Sequence, residues 1–151
     1  MNDTALPALL EFLAGAPALQ GMALRAEDAG PAPGTGGVWP RGVTVLRRRA
    51  DVLGGTSLRC RAEFLLRLCL PQPPGDAAQA AQNAGRLLAL QAWVAAQSAA
   101  GRAPRFGSDP DAPETLAAAA GRLERADPGG TARYTLRLLA EYTDFYKEDT
   151  A

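Results

Sequence analysis

Leu58-Arg59-Cys60-Arg61-Ala62-Glu63-Phe64-Leu65-Leu66-Arg67-Leu68-Cys69-Leu70 is the stretch on which the fold turns. Its even positions, Leu58 through Leu70, are apolar without exception, while the odd positions carry Arg59, Arg61, Glu63 and Arg67. A period of two belongs to a strand with one buried and one wet face, as in an antiparallel sheet. Prolines at 71, 73 and 74 end it. Beyond them Asp76 is a helix cap, and Ala77 to Ala100 is built from strong helix formers, with Ala80, Ala84, Leu87, Leu90 and Val94 along one stripe. Gly101 closes this helix, and Arg102 to Pro113 reads as a loop. Two further strands follow, Thr115 to Ala126 and Thr131 to Tyr146, joined by the turn Asp127-Pro128-Gly129-Gly130. The second repeats the alternation, with Tyr134, Leu136, Leu138, Ala140 and Tyr142 against Arg133, Thr135, Arg137 and Glu141.

Upstream, Leu6, Leu9, Leu10 and Leu13 fall at helical spacing behind Thr4, which predicts a short helix to Ala14. Met22 to Ala26 is a brief strand, and Val43 to Arg49 a longer one that turns at Gly54-Gly55. Between them, residues 28 to 42 are so rich in Pro and Gly that they read as a flexible loop. The fold class is therefore α+β: an antiparallel sheet of about four strands, with one long and one short helix packed on one face.

A chain of 151 residues with 47% apolar and 21% charged side chains has the makings of a single domain with one core, spanning 1 to 151. Sixteen basic residues balance sixteen acidic ones, which argues against a broad nucleic-acid or membrane footprint and confines any such contact to a local patch. The absence of His removes imidazole bases, Ser-His and Cys-His pairs and imidazole metal ligands. Cys60 and Cys69 match no metal-binding spacing, and by parity they lie on opposite strand faces, Cys60 in the core and Cys69 at the rim. A reduced, cytoplasmic setting is expected. No secretory leader or membrane-spanning run is read.

Gly34-Thr35-Gly36-Gly37 is followed by Val38-Trp39-Pro40 and so lacks the Lys and Ser/Thr of a phosphate-binding loop. The carboxylates show no convergence, so no catalytic, cofactor or metal residue is assigned. Arg47-Arg48-Arg49 is the one compact basic patch, either a solvated strand end or a contact for an acidic or phosphate-bearing surface, and three charges are too few for a DNA-binding assignment. Trp93 lies off the helical stripe and Trp39 in the loop, as packing residues or interaction anchors.

The strand Ser57-Leu58-Arg59 leading to Phe64, the helix running from Asn83 through Leu87 to Trp93-Val94, the exit Gly101-Arg102-Ala103-Pro104 and the closing Thr131-Ala132-Arg133-Tyr134-Thr135-Leu136 through Tyr142 resemble a family of prophage minor capsid or tail-terminator-like proteins of Gram-positive bacteria. The resemblance covers most of the chain from Ser57 onward. It implies a structural protein without cofactor that forms a ring with itself, often hexameric, at the head-proximal end of a phage tail. Its partners would be the tail tube and neck or head-completion proteins, with no membrane and no sequence-specific nucleic acid. Its place would be the host cytoplasm during assembly and then the virion tail or neck.

For such a ring the unlike patches are Arg47, Arg48 and Arg49 on one side and Asp144, Glu148 and Asp149 on the other, with Tyr142, Phe145 and Tyr146 as apolar anchors. The competing classes are a small adaptor or chaperone that uses the wet sheet face and, with less support, a CoA-dependent acyltransferase. The latter needs an anion-binding helix start, where Asp76 repels phosphate.

Overall fold

In the computed structural model, residues 1 to 28 and 30 to 147 are described. The chain runs α1 (Ala5–Ala14), a 3-10 turn (Pro17–Leu19), β1 (Ala23–Ala26), β2 (Thr35–Ala50), β3 (Gly55–Pro71), α2 (Ala77–Ala99), β4 (Thr115–Ala126) and β5 (Thr131–Lys147). The strands form one sheet in the order β1-β2-β3-β5-β4. The period-two segment is its centre: Leu66 lies opposite Leu136 on β5, and Val38 on β2 lies opposite Leu66. All three are fully buried.

Cys60, Ala62, Phe64, Leu66, Leu68 and Leu70 join one core with Leu9 and Leu13 of α1 and Leu87, Leu90 and Val94 of α2. Both helices therefore cover the even face of β3, as the alternation requires. Asp76 caps α2 by accepting from the Gln79 amide at 3.0 Å.

The sheet departs from the expected one in two respects. Among the described residues it has five strands, and it is mixed because β1 pairs with β2 in parallel, Ala23 beside Thr35. Alternation reveals which face is buried but carries no information on strand direction, so the orientation of a four-residue strand is invisible to it.

The expected loop of residues 28 to 42 is also shorter than read, because β2 already begins at Thr35. Within the strand, Gly36 and Gly37 serve close approach rather than a turn: a Cβ on Gly36 would lie 2.8 Å from Leu24 Cδ2 and 2.9 Å from Leu68 Cδ2. Pro40 is tolerated because β1 has ended at that level and β2 has become an edge strand, with a bulge between Pro40 and Gly42.

Three smaller readings change with this. Cys69 is buried rather than at the rim, because the residues before β2 cover it and its thiol lies 3.5 Å from the Pro31 carbonyl oxygen. On α2 the buried stripe is Asn83, Leu87, Leu90 and Val94, with Ala84 exposed. Trp93 packs on Phe12 with ring centroids 4.7 Å apart, tying the two helices together.

Candidate functional site

The face of the sheet opposite the helices is made by the odd residues of β3 and whatever the register sets beside them. Arg61 is opposite Glu141 and bonds it at 2.9 Å. Arg137 reaches Glu63 at 2.6 Å through Nε. Arg67 holds Glu124 through two bonds of 2.9 Å while its guanidinium lies 5.2 Å from the centre of the Trp39 ring. Such partly exposed pairs contribute only about 0–1 kcal/mol each. They organise the face rather than stabilise it.

The register adds arginines that those carboxylates do not match. Arg47 lies opposite Arg59, and Arg49 opposite Ser57. At the other end Arg133 lies opposite Cys69, and Arg122 opposite Thr135. Arg41, in the β2 bulge, lines a hollow with Glu63, Leu65 and Arg137. Among the described residues none of Arg41, Arg47, Arg49, Arg59, Arg122 and Arg133 has a carboxylate partner. Arg47, Arg49 and Arg59 surround a recess of about 400 Å³ with Ser57, Thr143 and Pro113. Arg59 is held in place by the Thr143 hydroxyl at 3.2 Å and the Pro113 carbonyl.

The sheet also ends in bare edges. β1 accompanies β2 only from Thr35 to Val38, so Arg41 to Ala50 run along an open edge, exposed throughout. Val43 and Val45 are 49% and 54% exposed, and at the hairpin tip Val52 and Leu53 are 99% and 90% exposed. At the opposite edge, β4 turns irregular at bulges after Ala119 and Leu123, with Ala120 at φ +56. There Leu123 and Leu88 flank a hollow of about 270 Å³ between α2 and β4.

The residues expected to meet a neighbouring copy are placed unequally. The arginine triplet splits, Arg47 and Arg49 on the helix-free face and Arg48 on the other, opposite Leu58. Tyr142 is buried in the core, and Phe145 is half-buried, its amide donating to Ser108 Oγ at 2.9 Å. Asp144 is 4% exposed and engaged inside the molecule, accepting from the Ser108 amide at 2.9 Å and from the Met1 ammonium. It offers no free carboxylate. Tyr146 remains exposed, and Glu148 and Asp149 lie outside the described residues. Ser57 pairs with Phe145 as well as with Arg49, so the basic strand end and the aromatic segment share one end of the sheet, separated only by β3.

Titration follows from this packing. Burial, with the Asp144 carboxylate second, raises the Cys60 thiol, and burial with Cys60 and Asp144 beside it raises the Tyr142 hydroxyl far above the usual tyrosine range. Burial raises Cys69 as well. Each group keeps its proton longer folded than unfolded, so the unfolded chain binds fewer protons in alkali and stability falls as pH rises above the ordinary thiol value of about 8.5. Thermal melts between roughly pH 8 and 10.5 should show Tm falling steadily, and Cys60→Ala should flatten the early part of the fall.

Parity alone sets Arg59, Arg61, Arg67, Arg133 and Arg137 on the wet face. It cannot add Arg47, Arg49 and Arg122, whose side depends on register and on bulges in β2 and β4. Among the described residues no group of His, Cys, Asp or Glu is arranged to hold a metal ion, and no helix is long and apolar enough to cross a membrane. No family model matches the chain, and no curated protein matches it.

Proposed function

We propose that this chain is a structural subunit of a tailed phage or prophage particle, a tail-terminator or neck component that assembles with copies of itself into a ring at the head-proximal end of the tail. The observation that carries the reading is the pair of unlike open edges. An unpaired strand edge bearing exposed apolar side chains is a liability for a lone soluble subunit and a template for pairing with another chain. The β2 edge with its Val52-Leu53 tip and the β4 edge with its apolar hollow lie on opposite sides of one sheet. A closed ring needs that arrangement, one patch meeting a different patch on the next copy. The tail tube and neck proteins are the partners this reading names, and it assigns the chain no catalysis.

Sedimentation over a concentration series, with and without assembled tail tubes, tests it. The wild type should shift to a discrete larger species with concentration or on tubes. Val45→Lys combined with Leu53→Asp should reduce that shift at least tenfold while leaving Tm nearly unchanged, because both side chains are exposed. A monomer that ignores tubes under every condition removes the ring and favours an adaptor that uses the sheet face.

A further inference from the structure

We infer that the helix-free face of the sheet binds the phosphate backbone of a nucleic-acid duplex without reading its sequence. This goes beyond ring assembly and does not depend on it. The chain is neutral overall, yet its charge is polarised: Glu63, Glu124 and Glu141 on this face are each taken up by an arginine, and six further guanidiniums remain there without carboxylate partners among the described residues. Like charges gathered on one surface destabilise a lone subunit and raise the local concentration of anions.

The spread of these groups selects the anion. Arg59 and the position opposite Arg133, Cys69, are ten residues apart on β3, roughly 34 Å along a strand. Arg47, Arg49 and Arg59 cluster at one end of that span, Arg122 and Arg133 at the other, with Arg41 between. A single acidic patch on a protein would satisfy one cluster. A duplex carries a charge every 1.7 Å or so of its axis and satisfies both.

Arginine suits phosphate in particular, since its planar fork donates two parallel bonds to the oxygens, and the Ser57 and Thr143 hydroxyls beside Arg47, Arg49 and Arg59 add donors of the same use. Two features argue for a duplex held through its backbone. The indole on this face, Trp39, lies under the Arg67 guanidinium and is not free to stack on bases. A sheet face also projects no helix to enter a groove.

Fluorescence anisotropy of a labelled duplex of about 20 base pairs and random sequence, with full-length protein at about 50 to 200 mM salt, tests the inference. Binding should be in the micromolar range at low salt and fall steeply as salt rises. The triple variant Arg47→Ala, Arg49→Ala, Arg133→Ala should weaken it at least tenfold and lower the log-log salt slope by about 2 to 3, close to 0.9 for each phosphate no longer neutralised. A control of equal charge on the other side, Arg48→Ala, Arg86→Ala, Arg102→Ala, should stay within about twofold of wild type. Thermal melts confirm that both variants are folded.

No binding at about 50 mM salt, or equal weakening in the two variants, overturns the inference. So does tighter binding of a single strand, or displacement of the duplex by polyglutamate at equal charge concentration, the latter pointing to an acidic protein partner. Sedimentation of the same samples separates the two ideas: a monomer that binds duplex keeps this inference and removes the ring, and a ring that ignores duplex does the reverse.

Discussion

Leu136→Asp should leave the protein largely unfolded at 25 °C, while Arg137→Asp, one residue away, should cost less than about 1 kcal/mol. Leu136 is fully buried on the helix side of β5, opposite Leu66, which is also fully buried. Substitution removes about 1.5–3 kcal/mol of apolar burial and places a carboxylate among apolar side chains, a further cost of several kcal/mol. Against a typical total of about 5–15 kcal/mol, that is most of the stability. The Arg137 side chain is about half exposed, and its carboxylate partner is Glu63 on the wet face. Removing that pair and adding a like charge beside it costs a fraction of a kcal/mol to about one. Urea melts of the two variants decide the matter. Similar midpoints would mean that β5 does not present alternate faces and that the core is elsewhere.

The same alternation explains how much of the fold is legible in the sequence. β3 and β5 are long, their apolar and charged residues alternate, and prolines or Pro-Gly-Gly bound them, so local pattern and tertiary burial agree. β4 is legible for a different reason. Ala117 to Ala120 favour helix by propensity, but the turn at Asp127 to Gly130 and the pairing with β5 override it. The first half of β2 is not legible, because Gly36, Gly37 and Pro40 carry the usual marks of a loop. Their reason for being there lies across the sheet, in Leu24, Leu68 and the end of β1, which a local reading cannot reach.

The expected interface is legible as residue types and not as positions. Tyr142 and Asp144 both fall on the apolar, even phase of a strand already read to Tyr146, and β5 carries both into the interior, so the interface reading conflicts with the strand's own parity. The arginine face is half legible. A neutral total charge says nothing about sidedness, and strand parity, followed along β3 and β5 alone, already points one way.

Asn83→Asp, a change of one atom type, should destabilise the protein by about 3 kcal/mol at neutral pH and much less near pH 4. Asn83 is a polar residue on the buried stripe of α2, 1% exposed. Its amide nitrogen donates to the Pro71 carbonyl at 3.0 Å and to Gln72 Oε1 at 3.1 Å, and its oxygen accepts from Gln79 Nε2 at 3.1 Å. Gln72 Oε1 also accepts from the Tyr134 hydroxyl. The side chain thereby fastens the start of α2 to the end of β3 and to β5.

An aspartate would face two acceptor oxygens with a negative oxygen, losing both hydrogen bonds and leaving the charge uncompensated, each a cost on the order of 1–3 kcal/mol or more. Burial and those acceptors raise the carboxyl in the folded state above its unfolded value of about 3.9. The folded variant then binds more protons than the unfolded one, so the ionisation penalty is absent below about pH 3.9, grows as pH rises toward the folded pKa and is constant only above it. Below that window the carboxylic acid can donate one of the two missing bonds. Chemical denaturation of wild type and variant from about pH 4 to 8 should therefore give curves that converge in acid and separate toward neutrality. Asn83→Leu, which carries no charge, should show a smaller loss that is independent of pH over the same range. Parallel curves for Asn83→Asp would mean that the site admits water, and that packing rather than this hydrogen-bond network holds α2 on the sheet.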